Sequence, residues 1–191
     1  EALGDMPEAC RRYMIYADRC SQAGYPDVAI QTLDRVLELD GSLHKARERR
    51  AELLAKLARA LAESKSPEAP AKLAQATAEY ELLLGFLTTA AEQRPILSEL
   101  VALQPKRDDL REQMAMVSLE LGDHAEAVID LQELAMNALE AEELERAAGI
   151  LEKILEIDSG DLMTLQSLAA TYTKLGNPEG ALRQYRRWVK S

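Results

Sequence analysis

Leu165-Gln166-Ser167-Leu168-Ala169-Ala170-Thr171-Tyr172, then Gly176-Asn177-Pro178, then Ala181-Leu182-Arg183-Gln184-Tyr185, is the stretch whose reading decides the fold. Leu165, Leu168 and Tyr172 recur at three- and four-residue steps, which places them on one face of a helix. Gly176 suits the end of that helix, and Pro178 suits the first turn of the next. Ala169 and Ala181 fall where two antiparallel helices cross, and a side chain no larger than methyl allows the close approach. The stretch reads as a helical hairpin.

The hairpin returns elsewhere in the chain. A shift of 34 residues lays Leu131 on Leu165, Leu134 on Leu168, Ala135 on Ala169 and Ala147 on Ala181, with Leu151 on Tyr185 and Ile154 on Trp188. Near the start stands Tyr13-x-x-Tyr16-Ala17-x-x-Cys20, then Gly24, then Ala29-x-x-x-Leu33. A further copy runs from Gln113-Met114-Ala115 to Gly122 and Ala127-x-x-x-Leu131. It overlaps the copy starting at Leu131, so the helix near 124–139 is either shared by three helices or preceded by a degenerate unit pairing 95–103 with 108–121. The degenerate unit is preferred, because it keeps the alternation through 190. Helices are predicted over 6–23, 26–39, 43–63, 67–84, 86–93, 95–103, 108–121, 124–139, 142–156, 161–175 and 178–190. Single long helices over 67–93 and 124–156 are the alternatives.

These residues resemble the tetratricopeptide repeat (TPR): a large residue, Leu, a small residue and Tyr on one helix, then a small residue and an aromatic on the next. The resemblance is strong over 10–40 and 124–190. It implies an all-α fold, a right-handed α-α superhelix (a TPR-like solenoid) in which each hairpin leaves an apolar face for its neighbour to cover. After Asp40 the expected small residues give way to Arg47, Arg49 and Arg50. The middle is therefore expected to be a long, non-consensus helical hairpin. The expected organisation is a TPR-like pair over 1–42, the long hairpin over 43–94, and a block of about three helix pairs over 95–191.

Composition agrees with helix. Of 191 residues, 47 % are apolar but only 4 % aromatic, with 29 % charged and 9 Gly. That disfavours all-β, disordered and collagen-like chains. No uncharged apolar run approaches ~18 residues, so no membrane insertion is expected. Net charge is -10, and residues 106–160 carry 15 acidic against 5 basic side chains. Such acidity argues against nucleic acid or an anionic bilayer as partner. Cys10 and Cys20, ten residues apart on one helix, are out of disulfide reach and read as packing thiols. His44 and His124 read as surface residues at helix starts. No CxxC, HExxH, GxSxG or phosphate-binding glycine loop occurs. No catalytic residue, metal site or cofactor is expected, and no enzyme. A chain starting at Glu1 reads as a fragment or processed product, which leaves its compartment open.

The resemblance implies a binding protein whose concave face takes a partner peptide or helix. The positions facing that groove are Met14 and Asp18, then Gln132 and Met136, then Gln166, Ala170 and Thr173. TPR proteins that capture a C-terminal carboxylate use Lys, Arg and Asn there, so a chaperone-tail role is disfavoured. Two charged features add alternatives. Arg183, Arg186, Arg187 and Lys190 form one face of the last helix, opposite Leu182, Tyr185 and Val189; it is either a wet outer face or a dock for an acidic partner. Glu140 to Glu145 is either a solvated turn or a dock for a basic one. Trp188 reads as an end cap or a contact for a further repeat. The expected function is a protein–protein scaffold or adaptor. The alternative is a structural component of a bacterial secretion, export or envelope complex, self-associating through solenoid ends.

Overall fold

The computed structural model describes residues 6–190, apart from the side chains of Arg187, Trp188 and Lys190. Its helices are α1 Met6–Gln22, α2 Pro26–Leu39, α3 His44–Glu63, α4 Ala69–Leu84, α5 Ala90–Leu103, α6 Asp108–Glu120, α7 His124–Glu140, α8 Leu144–Ile157, α9 Leu162–Lys174 and α10 Pro178–Lys190. No strand occurs among the described residues. The architecture is all-α and solenoidal in kind: each helix packs on its neighbours in sequence within one of two compact units, which divide at Thr88/Thr89.

Two kinds of turn set the helix order. After α1, α3, α6, α7 and α9 the chain closes a six-residue bonded loop: Tyr25 N–H donates to Cys20 O, Ser66 to Leu61, Asp123 to Ser118, Glu143 to Ala138 and Asn177 to Tyr172, at 2.8–2.9 Å. This satisfies carbonyls left over at the helix end and needs one residue in the left-handed region. Gly24, Gly122 and Gly176 supply it at φ +84°, +77° and +68°. Lys65 and Glu142 hold the same place with φ of 55° and 58°. After α2, α5 and α8 the chain instead leaves through an extended or bridging residue, Asp40, Gln104 or Asp158, whose N–H closes the last helical turn. Asp40 and Asp158 then accept from the N–H two residues on, at 3.0 Å.

Glu142 is a β-carbon residue where glycine fits better. Glu142→Gly is therefore expected to raise stability by about 0.5–1 kcal/mol, the relieved strain less glycine's extra freedom when unfolded. Gly122→Ala, with nothing near its added carbon, should lose about 1 kcal/mol from backbone strain alone. Urea midpoints at unchanged slope check both.

In the first unit α1 packs on α2, α2 on α3 and α3 on α4. The 20-residue α3 and 16-residue α4 form the long hairpin. Leu33 of α2, Leu54 of α3 and Tyr80 of α4 are fully buried, as are Ala17 of α1 and Ala29 of α2. In the second unit the helices zigzag between two layers. Asp108 of α6 receives Arg146 of α8 at 3.0 Å, and Asp161 before α9 accepts from Gln132 of α7 at 3.4 Å. These bonds set α6 beside α8, and α7 beside the start of α9. Leu131, Leu134, Ala138, Leu151, Ile154, Leu165 and Leu168 form one continuous core between the layers.

One boundary expectation differs from the structure. Residues 86–93 and 95–103 are not two helices: α5 runs unbroken from Ala90 through Pro95. Its start is fixed by a capping box, in which Thr89 Oγ1 accepts from Glu92 N–H and Glu92 Oε2 accepts from Thr89 N–H, both at 3.4 Å. The 94/95 limit falls inside this helix. The break expected between 124–139 and 142–156 is present, the Glu142 turn separating α7 from α8. α7 packs on both α6 and α8, with the same turn at each end, so it is the second helix of one hairpin and the first of the next.

Candidate partner-docking faces

The expected groove positions lie on α1, α7 and α9, with Met14, Asp18 and Gln132 half-buried and the other four exposed. On α9, Gln166, Ala170 and Thr173 are exposed and share a stripe with Met163. The inner side of the same helix carries the buried Leu165, Leu168 and Ala169. On α7, Met136 is 55 % exposed, while Leu134 and Ala135 beside it are buried. Gln132 is half-buried because its amide is bonded to Asp161. Thr173 Oγ1 donates to the Ala169 carbonyl at 2.9 Å, which leaves its methyl outward on the helix.

In the first unit, Met14 and Asp18 line an open groove of about 790 Å³. Its apolar lining includes Met6, Ile15 and Leu43, with Arg11 and Lys45 among its cations. Asp18 is not free there: Arg49 Nε of α3 donates to its Oδ1 at 2.8 Å. A second hollow of about 560 Å³ lies over Ala9, Tyr13 and Tyr16 of α1.

The arginines that break the TPR pattern turn out to tie helices together. Arg47 donates to Glu79 of α4 at 2.8 Å and Arg50 to the other oxygen of Glu79 at 2.9 Å. Arg50 also reaches Asp34 of α2 at 2.5 Å. With Arg49 on Asp18, α3 is bonded to all three other helices of its unit. Sequence reasoning missed this network. The signal was present: Glu79 stands one residue from the buried Tyr80, and Arg47 one residue from the buried Ala46, so opposite charges flank two facing apolar arcs.

The second unit has its own half-buried pair. Arg111 of α6 donates to Asp130 of α7 at 3.2 Å. Burial pushes the Asp130 carboxyl above its ordinary value; Arg111 opposes this and Glu126 adds to it. Arg111 Nε and Asp130 Oδ2 are buried without a hydrogen-bond partner.

Asp161 caps α9. Its Oδ1 accepts from Met163 and Thr164 N–H at 3.0 and 3.4 Å, and its Oδ2 from Thr164 Oγ1 at 2.6 Å. Burial alone raises such a carboxyl, but these donors and the Gln132 amide outweigh it and hold Asp161 below the usual range. A depressed folded value means stability that is present above the ordinary carboxylate range and lost as pH falls through the folded value. Asp161→Ala is expected to cost about 1–2 kcal/mol at neutral pH. Asp161→Asn should flatten the acid side of the stability-versus-pH curve, measured by denaturation at stepped pH.

The remaining candidates occupy separate places. Arg183 and Arg186 are exposed on α10 beside exposed Leu182, Tyr185 and Val189. Arg187 and Lys190 of that basic face, and the Trp188 contact, lie outside the described residues. Glu140, Glu142 and Glu145 are exposed at the α7–α8 turn, where Glu143 pairs with Arg146 at 2.9 Å. Cys10 and Cys20 are buried free thiols. His124 is exposed, and His44, also exposed, lies with its ring centre 4.9 Å from that of Phe86. Among the described residues no group of three or more His, Cys, Asp or Glu could hold a metal ion, and no helix is long and apolar enough to cross a membrane.

What these helix pairs define is an all-α helical-repeat protein. The sequence matches no family model and no curated protein. Solved structures similar to it are TPR proteins. MamA (41-end) from Desulfovibrio magneticus RS-1 is 14 % identical over 98 % of this chain and 96 % of that one, with a TM-score of 0.31. The TPR domain of P58(IPK) is 19 % identical over 96 % of this chain and 51 % of that one, with a TM-score of 0.39. YrrB, described as a TPR protein with an unusual peptide-binding site, is 17 % identical over 93 % and 84 %, with a TM-score of 0.31.

Proposed function

We propose that this protein is a non-enzymatic scaffold or adaptor that docks a partner peptide or helix on the outward face of the odd-numbered helices of its second unit. The observation that carries the reading is the two-sidedness of α7 and α9. Each buries its Leu and Ala side in the core and turns Met136, or Gln166, Ala170 and Thr173, to solvent. Exposed Met beside small and uncharged residues gives an adaptable, cheaply desolvated surface. Met14 beside the α1 groove offers the same chemistry in the first unit. Changing Met136 and Gln166 together to Asp should abolish retention of the natural partner in a pull-down while the circular dichroism melt stays put. Retention unchanged by the double variant removes the reading.

A second reading is self-association. It rests on α10, which packs on α9 yet leaves Leu182, Tyr185 and Val189 exposed beside Arg183 and Arg186. Sedimentation equilibrium at low and high salt tests it, and a monomer at every concentration eliminates it.

A further inference from the structure

We infer that the partner segment is a basic amphipathic helix, an inference that rests on the docking reading above and gives it a chemistry. Ile129, Glu133, Met136 and Glu140 follow one another along α7 at steps of four, three and four, and all are exposed. They form a single stripe about 16 Å long, three helical turns. Apolar and acidic groups alternate along it. Neither Glu133 nor Glu140 takes part in an ion pair among the described residues. The Gln132 amide holds the start of α9 against the middle of α7. Met163, 71 % exposed and two residues into that start, and Met136, one turn beyond Gln132, therefore flank the same seam.

α7 itself carries Glu126, Asp130, Glu133 and Glu140 and no Lys or Arg. The 106–160 stretch that contains α7 has an excess of ten acidic groups over basic ones. A helix with leucines at three- and four-residue steps would set them against Ile129, Met136 and Met163. Lysines on its flanks would stand beside Glu133 and Glu140. Methionine adapts to irregular apolar side chains, and the carboxylates choose the sign of the partner. An acidic helix would meet like charge at both glutamates.

The test uses the full chain and three fluorescent peptides: a Leu/Lys amphipathic helix, its twin with every Lys changed to Glu, and a twin with every Lys changed to Gln. Binding is followed by anisotropy at low salt. The Leu/Lys peptide is expected to bind at least about tenfold more tightly than either twin. Glu133→Lys with Glu140→Lys should erase that margin, whereas Glu145→Lys with Glu156→Lys on the even-numbered α8 should leave most of it. Met136→Asp should weaken all three peptides. The inference is overturned if the Glu or Gln twin binds as tightly as the Leu/Lys peptide, or if the α8 reversal weakens binding as much as the α7 reversal, which would mean attraction to net charge. In those cases sensitivity to Met136→Asp still upholds the docking face. If no peptide binds, or Met136→Asp changes nothing, the docking reading falls and this inference with it.

Discussion

Glu79→Gln should destabilise the first unit by about 3–5 kcal/mol, although it removes no volume. Glu79 is 14 % exposed at its side chain, against 16 % for Arg47 and 17 % for Arg50. One carboxylate is thus shared by two guanidinium groups that are largely out of water. An amide can accept from one of them but cancels neither charge. Arg50 keeps Asp34, whereas Arg47 keeps only the Gly41 carbonyl at 3.3 Å, and its buried Nε has no partner even now. The uncompensated charge on Arg47 is the source of the cost. Glu38→Gln is the contrast: its ion pair with Arg35 is more than half exposed on both sides, and its loss should stay within about 1 kcal/mol. Urea denaturation of the two variants decides the matter. A Glu79→Gln cost no larger than that of Glu38→Gln would mean that water screens the network after all. Arg47→Met combined with Glu79→Leu should recover most of the loss, because a well-packed apolar pair replaces a desolvated ionic one at little net cost.

The helices were legible wherever sequence alone determines the local geometry. Gly24 and Gly176 mark turns that need a left-handed residue, and Pro26 and Pro178 open the helices that follow. Ala17, Ala29, Ala169 and Ala181 are buried where the spacing placed helix crossings. The helix breaks expected after 63 and after 139 are present, although Lys65 and Glu142 take the glycine conformation there without a glycine. Legibility failed at the start of α5. Thr89 and Glu92 start α5, whereas the expected helix over 95–103 begins at Pro95. The same limit governs the docking face. The repeat register places Met136 and Gln166 outward, but it is blind to which polar neighbours are already engaged. Asp18 and Gln132 are spent on Arg49 and Asp161, contacts made across 31 and 29 residues of sequence. Ile129, Glu133 and Met163 complete the exposed stripes, and the spacing was there to be used: Met163 stands three residues before Gln166, Glu133 three before Met136, and Ile129 four before Glu133.

Leu168→Ala is expected to cost about 2–5 kcal/mol, a large share of the 5–15 kcal/mol that holds a typical domain. Leu168 has no exposed surface, and the core cluster it belongs to draws on three helices, with Leu134 of α7, Ile154 of α8 and Leu165 of α9 among its members. Three rigid helices cannot all move in to fill the space, so the upper half of the range is expected. Leu182→Ala, at a residue 49 % exposed, removes the same atoms and should fall within about 0.5 kcal/mol. Thermal and urea denaturation measure both. The comparison also separates fold from function. Leu168 lies two residues from Gln166 and Ala170, on the opposite side of α9, so its truncation loosens the helix without altering the docking chemistry. Well below its melting temperature, Leu168→Ala should bind a partner nearly as well as the parent chain, and its binding should fail only as it unfolds. Met136→Asp should do the reverse, losing binding at every temperature with little change in melting. If Leu168→Ala instead melted like the parent, α9 would not be seated between α7 and α8, and the outward stripe on which docking depends would have no fixed direction.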